Sequence, residues 1–94
     1  MKHYVRQFLN TEEQGGTAFI EVTVGEVDTT HSGEKFVDAD ITIADCSRKV
    51  TLDFSVYDKE ALENNLTKLR RLRLAIQRFE RSLLDAYNKI ERSY

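Results

Sequence analysis

Residues 58–94 read DKEALENNLTKLRRLRLAIQRFERSLLDAYNKIERSY, and this stretch decides the fold. It contains neither glycine nor proline, the two residues that most disfavour a helix interior. Leu62, Leu69, Ile76, Leu83 and Ile90 recur at every seventh position without a miss. Leu72, Phe79 and Ala86 follow members of that row by three positions, and Leu66, Tyr87 and Tyr94 follow by four. Small residues, Ala61, Ala75 and Ser82, sit just before members of the row and allow close approach of a second helix. On a helix these positions share one broad apolar side, wider than a strict coiled-coil seam. Asp58 is a good N-cap residue. The spacing therefore predicts one amphipathic helix over 58–94.

Such a helix is roughly 54 Å long at 1.5 Å per residue. A strand of nine residues spans only about 30 Å. The rod overshoots any sheet of that size, so it either kinks, near Asn64-Asn65 or Asn88, or packs its distal half on something else. The unbroken periodicity favours the second outcome. The first turns are expected to close the sheet. Ile76, Phe79, Leu83, Tyr87, Ile90 and Tyr94 are the candidate self-association surface.

Toward the N-terminus the period changes from helical to alternating. His3 to Leu9 reads as a short strand, followed by a loop that ends at Gly15-Gly16. Thr17 to Asp28 sets Ala18, Ile20, Val22 and Val24 against Glu21, Thr23 and Gly25. Glu34 to Ala44 sets Val37, Ala39, Ile41 and Ile43 against Asp38, Asp40 and Thr42. Lys49 to Tyr57 sets Val50, Leu52, Phe54 and Val56 against Thr51, Asp53 and Ser55. Alternating strands joined by short turns form an antiparallel meander with one buried face. The predicted fold is α+β: a four-stranded antiparallel meander (1–57), then one long C-terminal helix (58–94) packed on one sheet face. At 94 residues the whole is expected to be a single domain.

Small chains bury a modest share of their surface and often recover stability by oligomerising. One cysteine, Cys46, excludes a disulfide within these residues and a Cys-rich metal site. The low cysteine content favours a reducing compartment, hence a cytoplasmic protein. The start Met1-Lys2-His3-Tyr4 is not followed by an apolar run, so no secretory leader is expected. No uninterrupted apolar stretch approaches the ~20 residues of a membrane span.

The net charge of −2 is unevenly spread. Residues 1–57 hold ten carboxylates against five Lys/Arg, whereas residues 58–94 hold six against nine. Arg70, Arg71, Arg78 and Arg81 project to one side of the helix, opposite the apolar row, with Lys68 and Arg73 flanking them. This basic stripe suits a phosphate, a nucleic acid or an acidic protein; the plain alternative is a solvated helix face. Glu21, Asp38, Asp40 and Asp53 share the strand parity opposite the aliphatic residues, together with Phe19, Phe36 and Tyr57. An acidic face with aromatics suits a basic protein surface and repels phosphate backbones. Its plain alternative is a polar outer face that keeps the sheet from aggregating.

Catalytic signatures are absent. Asp28, His31 and Ser32 fall in one turn, where a triad would need separate rigid supports and an oxyanion hole; Asp, Thr, Ser and Gly are turn formers. His3 and His31 have no ligand spacing, so no metal or other cofactor is expected. Cys46, beside Ser47 and Arg48, reads as a bystander thiol. Gly15-Gly16 lacks the Lys-Ser/Thr of a phosphate loop.

The order of four strands and one helix, with Arg48-Lys49-Val50-Thr51-Leu52 leading to an N-cap and a Leu-rich helix, resembles the transcriptional positive cofactor family. Members of that family bind single-stranded DNA and dimerise. This chain departs from them in its longer helix and in an acidic sheet face where theirs is basic, so no functional residue is carried over. The reading of the residues is a non-enzymatic protein–protein interaction module. It is expected to be a homodimeric accessory or inhibitor protein, of the kind phages and mobile elements encode, that meets a macromolecular partner through charged faces. Nucleic-acid binding through the arginine stripe is the alternative, and no membrane association is expected.

Overall fold

The computed structural model describes residues 2–28 and 35–92. It has four strands, β1 (Lys2–Phe8), β2 (Phe19–Asp28), β3 (Lys35–Asp45) and β4 (Arg48–Asp53), followed by one helix, α1 (Lys59–Arg92). The strands form one open sheet in the order β1-β2-β3-β4, each antiparallel to the next. This is the predicted α+β class with the predicted meander. The described chain forms two compact units, Met1–Leu62 and Glu63–Tyr94.

Register shows how the alternation is used. Val22 lies opposite Val5 and Ile41, and Ile41 lies opposite Leu52. Gln7, Ile20, Ile43 and Val50 make the neighbouring row. His3, Val24 and Ala39 make a third, which Phe54 extends by donating its N–H to the Ala39 carbonyl at 2.8 Å. Every predicted aliphatic position from 20 to 52 therefore falls on one face, because side chains alternate with period two and the register keeps that parity across all four strands.

The turns follow local chemistry. Leu9 donates its N–H to the Ala18 carbonyl, closing the β1–β2 connection. Gly15 and Gly16 have φ of 64° and 95°, a region in which a side chain is strained. The β3–β4 hairpin turns on Cys46 and Ser47, with Cys46 at φ 57°. A two-residue hairpin loop needs such positive φ to match strand twist, so Cys46 has a conformational role beyond that of a bystander thiol. The Asp28–Gly33 turn read in the sequence, apart from the backbone of Asp28, lies outside the described residues.

The fourth strand is shorter than its alternation predicts. Its regular ladder stops at Asp53, although Val37 and Val56 still bridge in the same register. Between them, side chains join the backbone pairing. The Ser55 N–H donates to Asp53 Oδ1 at 2.9 Å, and the Ala39 N–H donates to Ser55 Oγ at 3.2 Å. Local Asp and Ser bonds of this kind compete with strand ladders.

The helix begins as predicted. Asp58 Oδ1 accepts the Ala61 N–H at 2.7 Å, and the Asp58 carbonyl accepts the Leu62 N–H. The helix then runs unbroken through Asn64, Asn65 and Asn88. Continuous good helix formers and the absence of glycine and proline explain this continuity.

The core is small. Among the described residues only Ala18, Ala39, Ala44 and Phe54 are buried, and no large side chain is fully enclosed. Val5, Val24 and Val50, all on the aliphatic sheet face, are more than 40% exposed.

Candidate interaction surfaces

Three surfaces stand out, one on each side of the sheet and one along the helix. The first is the aliphatic sheet face just described. Its three central rows contain no Asp, Glu, Lys or Arg. At the end of the sheet near the helix start, an open hollow is lined by Phe36, Val37, Val56, Tyr57 and Leu62 together with the charged Glu26, Lys35, Asp58 and Lys59.

The opposite sheet face carries the predicted carboxylates, and register distributes them unequally. Asp40 pairs directly with Asp53 across β3 and β4, and Asp38 lies two residues along β3 on the same side. Like charges directly opposite on a sheet repel. Asp38 Oδ1 accepts the Ser55 hydroxyl at 3.1 Å. Glu21 lies nearer β1, opposite Arg6 and Thr42. Arg6 Nε makes a 3.0 Å ion pair with Glu21 Oε2, and the Tyr4 hydroxyl donates to the same oxygen at 2.8 Å.

The strand β1 thus brings Lys2, Tyr4, Arg6 and Phe8 to this face, which changes its charge on one side. The Arg6 guanidinium also lies 4.2 Å from the Phe19 ring centroid, and Phe8 meets Phe19 edge-on. Phe36 and Tyr57 stack at 4.8 Å at the far end. Sequence reasoning missed the Arg6–Glu21–Tyr4 group because cross-strand partners depend on register. The available signal was the alternation of Lys2, Tyr4, Arg6 and Phe8. The bond from Tyr4 to Glu21 raises the phenol pKa, with smaller upward contributions from desolvation and the Glu21 charge, opposed by Arg6.

The third surface is the helix. Ile76, Phe79, Leu83, Tyr87 and Ile90 are all more than half exposed, Phe79 most of all at 68%. Leu69 and Leu72 nearer the N-terminal half are only partly exposed. The Tyr87 hydroxyl donates to Glu91, one turn on, and this bond, with desolvation second, raises its pKa. Tyr94, the last of the candidate association residues, lies outside the described residues.

Arg70, Arg71, Arg78 and Arg81 are exposed on the other side of the same helix. At 100° per residue they fall within about a quarter-turn of one another. Among the described residues none of the four has an ion-pair partner. Hydrogen-bonding and charge capacity on this stripe is therefore open to a ligand.

Among the described residues no group of three or more His, Cys, Asp or Glu side chains is placed to hold a metal ion. No described helix is long and apolar enough to cross a membrane. No protein-family model, curated protein or solved structure matches this chain.

Proposed function

We propose that this chain is a non-enzymatic protein–protein interaction module, a homodimeric accessory or inhibitor protein that meets a macromolecular partner through its charged faces. The observation that carries this reading is the 34-residue amphipathic helix without one buried residue. An apolar stripe of this length left in water is unfavourable at roughly 25 cal/mol per Å². Large exposed apolar patches mark association surfaces. The second copy meets the stripe with the same heptad row, and the small residues Ala75 and Ser82 admit close approach.

Light scattering at tens of micromolar tests the reading. The expected mass is twice the 10.9 kDa of one chain. Leu83→Glu with Tyr87→Glu should halve that mass while leaving the sheet's far-ultraviolet signature intact. A wild-type mass of 10.9 kDa overturns self-association.

A second reading is favoured by the unpaired arginines: the stripe of Arg70, Arg71, Arg78 and Arg81 binds nucleic acid. Counterion release then makes affinity fall steeply with salt. Arg70→Glu with Arg78→Glu should abolish binding to a single-stranded or duplex oligonucleotide at low salt. No binding by the wild-type chain at low salt removes this reading and leaves the stripe to an acidic protein.

A further inference from the structure

We infer that β1 docks against the β1 strand of a second copy, so that the two sheets join antiparallel, edge to edge, about a two-fold axis at Val5. This rests on the self-association reading above and names a contact separate from the helical one. β1 lies at one edge of the open sheet and is hydrogen-bonded to β2 alone. Leu9, continuing the β1–β2 register, donates its N–H to the Ala18 carbonyl. Bonded and non-bonded pairs alternate along an antiparallel ladder. His3, Val5 and Gln7 therefore turn their backbone groups toward β2, and Lys2, Tyr4, Arg6 and Phe8 turn theirs to the open edge. Among the described residues no backbone group meets that row. A helix cannot complete it, because its own backbone groups are bonded internally. An added strand can.

β1 also lacks the usual guards of a sheet edge. It has no proline, and its pairing with β2 runs without a bulge. Of its two cations, Arg6 is drawn back over β2 by Glu21 and the Phe19 ring. The other edge, β4, is charged at Arg48, Lys49 and Asp53, half of its six residues.

Register identifies the occupant. A two-fold antiparallel pair sets one residue opposite itself. An axis at Tyr4 sets Lys2 against the partner's Arg6, and an axis at Arg6 sets the two Arg6 side chains against each other. Both oppose like charges. Axes nearer either end pair only the last few residues. An axis at Val5 pairs all seven residues of β1 and opposes no like charges. Lys2 then meets the partner's Phe8, and Tyr4 meets the partner's Arg6, cation against aromatic ring. The outward backbone groups all fall in hydrogen-bonded pairs of this register. On the other side of the strand, Val5 meets the partner's Val5. The row Val5–Val22–Ile41–Leu52 thereby continues into its own copy across the seam.

Disulfide trapping tests the inference. In a Cys46→Ser background, Val5→Cys places two thiols in a non-hydrogen-bonded pair, with Cα atoms about 4.5 Å apart and within disulfide reach. Gln7→Cys is the register control, because four residues, about 13 Å, separate it from the same position in the partner. Paired thiols act at an effective concentration on the order of mM, so at about tens of micromolar chain Val5→Cys should form a linked dimer at least about tenfold faster than Gln7→Cys. A mixture of His3→Cys and Gln7→Cys should link as fast as Val5→Cys, which keeps the test open if Val5→Cys does not fold. Light scattering on the reduced samples gives the mass.

A dimer in which neither Val5→Cys nor that mixture links faster than Gln7→Cys alone overturns the β1 seam and leaves helical self-association standing. Rapid linkage of Thr51→Cys in place of Val5→Cys puts the seam at β4 and overturns the choice of edge. A monomer at every concentration overturns both readings.

Discussion

Strands β1–β4 gain their order from neighbours distant in the chain, whereas α1 gains its order from neighbours one turn away. In the sheet, Val22 is held between Val5 and Ile41, each more than fifteen residues off. In the helix, each backbone bond closes over four residues. Both regions are amphipathic, but the distal apolar residues of the helix are more than half exposed, whereas most aliphatic residues of the sheet are at least partly buried. The difference teaches where damage should spread. A lesion in the sheet disturbs several strands together, while a lesion on the helix surface stays local and changes association instead.

The strongest way to break the comparison is at Phe54, among the described residues the one large side chain in the small core, 6% exposed. Phe54→Ala should destabilise the sheet by about 3–5 kcal/mol, lowering the denaturant midpoint of the strands. If the sheet melts no earlier than in the wild type, its order does not depend on this core.

Gly16→Ala should come next, at about 1–3 kcal/mol, because φ of 95° strains any side chain. The added Cβ also meets the Asn10 side chain. The loss should appear in thermal unfolding followed at a strand-sensitive wavelength, with the helical signal little changed.

On the helical side, Asp58→Ala removes the acceptor for the Ala61 N–H and should cost about 1 kcal/mol. Amide hydrogen exchange should quicken in the first turn of α1 and stay unchanged beyond residue 76. Exchange that quickens along the whole helix would show that its stability is not local.

The smallest effect is a pH dependence. Tyr4 has a raised pKa in the folded chain through its bond to Glu21. A raised folded pKa gives stability that is present below the unfolded value near 10 and lost as pH rises through the folded value. Alkaline stability curves of the wild type and Tyr4→Phe should therefore converge above that range. Curves that stay parallel would mean that the Tyr4–Glu21 bond adds nothing to the sheet.

Much of this architecture was legible beforehand, for reasons particular residues make plain. Asp58 could be read as a cap because capping is decided within three residues. Val22, Ile41 and Leu52 could be assigned to one face because parity is a local count. The end of β4 could not be read, since Ser55 Oγ meets the Ala39 N–H and the Asp38 carboxylate only once β3 is alongside. Arg6 could not be matched to Glu21 for the same reason: fifteen residues and a turn separate them. The carboxylates Asp38, Asp40 and Asp53 were foreseeable as a group on one face, but the cations that border them through β1 were not.

Periodicity belongs to the chain itself, so residues 58–94 carried their helix, its apolar row and its arginine stripe before any fold was known. The four strands carried their alternation in the same way. Pairing belongs to no single segment: it required β1 beside β2 and β3 beside β4 to put Arg6 on Glu21, Asp40 against Asp53 and Val22, Ile41 and Leu52 in one row. Burial likewise emerges only from atoms brought together, and among the described residues it reached Ala18, Ala39, Ala44 and Phe54.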